Sequence, residues 1–161
     1  MKIALLSDIH ANRPALAACL AHARGQGAEQ FALLGDLVGY GGEPAAVLDD
    51  IMALADRGAW VVLGNHDAMA LSPPAVANNR GALGAQWTHD QLRPEHVAFL
   101  QSLPLTARLG DTALLPGLLD GLQSHVPDLE LHRIEGATHW IVHEQPELVA
   151  EMIGRFLARP L

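Results

Sequence analysis

The chain is predicted to be an α/β protein: a βαβαβ layer of parallel strands completed by a C-terminal helix–strand–helix unit. Three observations carry this. Three short apolar runs have the length and composition of buried strands, two amphipathic stretches separate them, and the links are short. Strands joined in that way pair in parallel through right-handed crossovers.

Residues 2–7 (KIALLS) form the first expected strand, and Phe31–Leu34 and Trp60–Leu63 repeat its pattern. The first helix is expected to begin near Pro14 and the second near Pro44, since proline suits a first helical turn. In the second, Val47, Leu48, Ile51, Met52 and Ala55 make one apolar stripe at helical spacing. Residues 73–103 read as helical with a break at Arg93-Pro94, and Leu83, Trp87, Leu92, Val97 and Leu100 are expected to cover the sheet. Further on, Leu114–Leu122 suggests a helix, Leu129–Ile134 a strand and Pro146–Leu157 a last helix.

With 161 residues the chain suits one domain, 1–161, large enough to bury roughly 68–70% of its unfolded surface. A net charge of −8 argues against stable nucleic-acid binding, which needs a basic stripe. No apolar run reaches the ~18 residues of a membrane span, and the apolar start is cut short by Asp8 before it makes a signal peptide. A cytoplasmic setting is therefore expected. The single cysteine, Cys19, excludes an internal disulfide and is expected to be buried beside Leu16 and Leu20.

Each expected strand ends in a polar cluster: Asp8-Ile9-His10, then Gly35-Asp36, then Gly64-Asn65-His66-Asp67. Parallel sheets gather such loops along the carboxyl edge of the strands. Taken singly, the first reads as a capping loop, the second as a turn and the third as a helix cap. Together at three successive strand ends they read as a metal site. Asp8 and His10 can face one ion, Asp36 can bridge two ions roughly 3.5–4 Å apart, and Asn65 offers a neutral carbonyl oxygen. Glycines 35 and 64 let backbone approach closely. This ligand chemistry suits two divalent transition-metal ions (manganese, iron, cobalt or zinc) better than calcium.

The motifs SDIHAN (7–12), LLGDLVGYGGEP (33–44) and VVLGNHDA (61–68) resemble, in order and spacing, the amino-terminal part of the calcineurin-like metallophosphoesterase family over residues 1 to about 110. The resemblance implies a truncated form of that fold, with Asp8 and His10 on a first metal, Asp36 bridging and Asn65 on a second. It further implies that His66 assists the leaving group while Asp67 orients the His66 ring. Hydrolysis of a small phosphate ester, most readily a phosphodiester, by a metal-bound hydroxide is the expected activity.

The later histidine motifs of that family, including Gly-His-X-His, do not follow. Residues 110–157 are instead similar to the carboxyl-terminal end of an α/β-hydrolase of epoxide-hydrolase or dehalogenase type, implying a chimera joined near Gly110. In that family Asp111 stands for the catalytic acid and His139 for the base. No Gly-X-Ser-X-Gly elbow occurs, so an esterase using the Asp111–His139 pair lacks its nucleophile. His139 follows the expected strand Leu129–Ile134 and is a candidate replacement metal ligand, the alternative being a loop histidine without that role. His89 and His143 are weaker candidates on helical surfaces. Apolar surface left bare by the truncation predicts a homodimer. The alternative function is an inactive or weakly metal-binding protein with a structural or interaction role.

Overall fold

The computed structural model describes residues 2–76, 79–109, 112–114, 145, 147, 148 and 151. It divides the chain into two compact units, Met1–Val126 and Pro127–Leu161. The first contains the layer that carries the motifs. Its three strands, β1 (Ile3–Leu6), β2 (Gln30–Leu33) and β3 (Trp60–Val61), form a parallel sheet in the order β1-β2-β3. Ile3 pairs with Gln30 and Leu6 with Leu33, while Leu33 pairs onward with Val61. All three strands therefore end at one edge, and the polar clusters follow there.

Helix α1 (Arg13–Gly25) starts where Asn12 accepts the Ala15 N–H at 3.1 Å, with proline in the first turn. Its buried stripe is narrow, limited to Leu16 and Leu20, and Cys19 is exposed, against expectation. One residue short of Leu20, its side chain points about 100° away from that of Leu20. Helix α2 (Pro44–Ala55) is the principal core helix, with Val47, Leu48 and Ile51 fully buried and Leu54 nearly so. Each such side chain contributes about 1.5–3 kcal/mol by leaving water. Met52 and Ala55 of the expected stripe are partly exposed.

The segment expected to be helical over 73–103 is more broken than its pattern. Helix α3 (Asn65–Leu71) starts earlier, within the third motif, and is followed by α4 (Arg80–Gln91) and α5 (Pro94–Ser102). The expected break at Arg93-Pro94 separates the last two. Leu83 and Trp87 do not cover the sheet; they are 56% and 44% exposed. Helix α4 buries Ala82, Ala85 and Thr88 instead, and this small-residue face lets it approach its neighbours closely. From α5, Leu100 is fully buried, and His96 is held between Asp49 of α2 and the backbone of Arg93.

Strands β4 (Ala107–Leu109) and β5 (Thr112–Leu114) pair antiparallel, Leu109 opposite Thr112. Leu114, the first residue of the helix expected over Leu114–Leu122, belongs to β5, and the rest of that expected helix lies outside the described residues. Of the second unit, Glu147, Leu148 and Glu151 are helical, within the expected last helix. Asp111, His139, His143 and the strand expected at Leu129–Ile134 lie outside the described residues.

Candidate metal centre

The loops after β1 and β2 are joined by backbone hydrogen bonds. His10 N–H donates to the Asp36 carbonyl at 2.9 Å, and Ala11 N–H to the Leu37 carbonyl at 2.9 Å. Asp8, His10, Ala11, Asp36 and Tyr40 all have φ between +47° and +59°. Left-handed backbone at non-glycine residues costs on the order of 1–3 kcal/mol each and persists where surrounding contacts impose it. Here it turns three polar side chains toward one point. One potential ligand atom from each of Asp8, His10 and Asp36 lies within 4.8 Å of the other two.

The donor set fits a cation. His10 Nδ1 lies 3.3 Å from the Val38 carbonyl oxygen, so the proton belongs on Nδ1 and Nε2 presents its lone pair. That lone pair and Asp8 Oδ1 are 3.6 Å apart. Two acceptors so close repel unless a proton or metal ion lies between them. Two metal–ligand bonds of ~2.0–2.2 Å are long enough to span the gap.

The third strand end closes on the second. An added Cβ at Gly35 would stand 2.7 Å from Gly64 Cα, and one at Gly64 would stand 2.1 Å from Asp36 N. Neither position tolerates a side chain without displacing backbone. The His66 N–H donates to Asp36 Oδ1 at 2.9 Å, orienting that carboxylate. Asn65 is the exposed first residue of α3, between Gly64 and His66, both of which touch Asp36. The His66 ring packs at 5.0 Å from that of His10.

Asp67 is anchored by backbone groups. Its fully buried carboxylate accepts the Leu37 and Val38 N–H groups on Oδ1, at 2.9 and 3.0 Å, and the Gly64 N–H on Oδ2, at 2.9 Å. It ties the second loop to the start of α3. Burial pushes its carboxyl up to about 6; the charge of Asp36 acts in the same direction, and the three N–H groups oppose both.

One aromatic residue absent from the expected set belongs to this cluster. The Tyr40 ring lies 5.0 Å from that of His10 and 4.6 Å from that of His66. Its signal in the sequence is the Gly39-Tyr40-Gly41 triplet within the second motif. His89 is exposed on α4, where its Nδ1 meets the Ala70 carbonyl at 2.8 Å. It is not part of the Asp8, His10, Asp36 group.

The profile of the calcineurin-like phosphoesterase family matches residues 1–145, continuing past Gly110. An uncharacterized protein of Methanocaldococcus jannaschii is 37% identical over 105 residues, 64% of this chain and 42% of its own. The crystal structure of a metallophosphoesterase from Sphaerobacter thermophilus superposes with a TM-score of 0.59 at 37% identity, covering 70% of this chain and 45% of that one. A provisionally assigned diadenosine tetraphosphatase gives 0.52 at 29% identity, covering 66% and 44%. The chain thus spans less than half the length of each of these relatives.

Proposed function

The chain is a member of the calcineurin-like phosphoesterase family, and from that premise we propose that it hydrolyses phosphodiesters at a dinuclear metal centre on the β1–β3 strand ends. The observation that carries this reading is the convergence of Asp8, His10 and Asp36 within 4.8 Å. Asp8 and His10 would hold one ion, Asp36 would be shared with a second, and Asn65 would serve that second ion. Carboxylate and imidazole ligands suit manganese, iron, cobalt or zinc. When bound, the cations lower the pKa of a water and draw charge from the phosphoryl oxygens.

The protein's own groups do the rest. Val38 fixes the tautomer of His10, the His66 N–H orients the Asp36 carboxylate, and Asp67 holds the two loops in register. The His66 side chain delivers a proton to the leaving oxygen. Activated phosphodiesters are favoured because Asp8 is exposed, so a good leaving group compensates for weak proton delivery.

Two further elements belong to this reading. Two chains associate through apolar surface, a role supported by Leu5, 59% exposed on β1. The protein acts in the cytoplasm on a small substrate. The enzymatic claim is tested with bis(p-nitrophenyl) phosphate on manganese-loaded, chelated and reloaded protein, beside Asp36→Asn. Turnover lost on chelation, restored by manganese and at least about a hundredfold lower in Asp36→Asn is expected. Equal turnover by the chelated protein would refute it.

A further inference from the structure

Tyr40 is the most exposed large side chain of the metal cluster and sits on an unfavourable backbone. It is 63% exposed with φ at +59°, a conformation that bulky side chains seldom adopt. The residues on either side explain why it stays there. A Cβ at Gly39 would lie 3.2 Å from His66 Nδ1, and one at Gly41 would lie 2.1 Å from the His10 carbonyl oxygen. The backbone is therefore pressed against both histidines, and the tyrosine between them has its place imposed.

The ring stands nearly edge-on to His10, at 72°, and tilted to His66, at 53°. Those contacts use part of the ring and leave the larger part open beside the ligand group. On the α4 side, a Cβ at Gly81 would stand 3.9 Å from the Tyr40 hydroxyl oxygen and one at Gly84 would stand 3.9 Å from the Tyr40 backbone N, so the glycines there add no side chain against the tyrosine. A fixed, half-uncovered aromatic surface next to a phosphate-binding centre is the chemistry of a stacking platform.

We propose that Tyr40 determines specificity, its ring receiving the aromatic group (an aryl ring or a nucleobase) of a phosphate ester whose phosphate sits at the Asp8–His10–Asp36 cluster. This rests on the phosphoesterase reading of that cluster. Stacking on one aromatic side chain accounts for about a tenfold affinity difference, at the lower end of its usual range.

The test uses the full chain loaded with manganese and titrated calorimetrically with phenyl phosphate and with methyl phosphate, in parent, Tyr40→Phe and Tyr40→Leu proteins. Tyr40→Leu should weaken phenyl phosphate about tenfold and leave methyl phosphate and manganese content unchanged, while Tyr40→Phe should behave as the parent. Equal weakening of both ligands, no weakening of either, or loss of manganese in Tyr40→Leu would overturn the proposal. Hydrolysis is read separately. Aryl preference without diester turnover would leave the platform standing and remove the catalytic reading; turnover without aryl preference would do the reverse.

Discussion

Gly64→Ala isolates a contact on which the proposed metal centre depends. The backbone at Gly64 is extended, with φ −90° and ψ 171°, so alanine adds no conformational strain there. Its Cβ, however, would stand 2.1 Å from Asp36 N and 2.3 Å from Asp36 Oδ1. That is more than about 1 Å inside the ~3.5 Å of an ordinary contact. Backbone atoms cannot yield as the end of a long side chain does, so Asp36 or the start of α3 must move. Overpacking of this kind costs about 1–3 kcal/mol, and misplacing a group that orients a ligand costs roughly 10–100-fold in metal affinity. Gly42→Ala is the matched control, because a Cβ there meets nothing within 4 Å. Manganese titration of both variants, with urea denaturation alongside, is the assay. Gly64→Ala should bind manganese 10–100-fold more weakly and Gly42→Ala should match the parent. Parent-like affinity in a folded Gly64→Ala protein would refute the argument that the start of α3 positions the Asp36 carboxylate.

Asp67→Ala removes the acceptor from three buried N–H groups. At about 1–3 kcal/mol for each orphaned donor, the loss should reach about 3 kcal/mol or more in urea denaturation; a loss below about 1 kcal/mol would contradict the tying role. Thr88 Oγ1 is buried and has no hydrogen-bond partner among the described residues. Thr88→Val keeps the shape and should raise stability by about 1 kcal/mol, whereas destabilisation in the same measurement would show that the hydroxyl is satisfied. A hydrogen bond with His96 holds the Asp49 carboxyl below the usual carboxylate range, with help from Arg93. Because the folded pKa is the lower one, this stabilisation is present above the unfolded value near 3.8 and is lost as pH falls through the folded value. Asp49→Asn should therefore flatten the acid limb of the stability profile below pH ~4, and an unchanged limb would contradict the linkage.

The order of elements through α2 was legible because strand-length apolar runs alternate with helices opened by Pro14 and Pro44. The positions of Asp8, His10 and Asp36 were legible for a related reason: parallel strands bring their ends to one edge whatever their separation in sequence. Helix α4 misled because hydrophobicity favours Leu83 and Trp87 as the buried face, whereas close packing selected Ala82, Ala85 and Thr88. Cys19 misled in a similar way, since an apolar neighbourhood on a helix does not say how wide its buried stripe is. Asp67 was recognisable as a site residue, but its partners are backbone N–H groups of Leu37, Val38 and Gly64. No side-chain pattern announces such partners. Tyr40 left only the Gly39-Tyr40-Gly41 triplet as a signal, because its placement beside the histidines follows from a left-handed backbone and two glycine contacts that the coordinates reveal.

The most direct test of the central claim is manganese stoichiometry, measured by equilibrium dialysis and elemental analysis on the full chain and on Asp36→Ala. Two ions per parent chain, falling to one or fewer without Asp36, is the result predicted for a centre in which that carboxylate lies between two metals. Fewer than one ion per parent chain, or binding unchanged by Asp36→Ala, would contradict it.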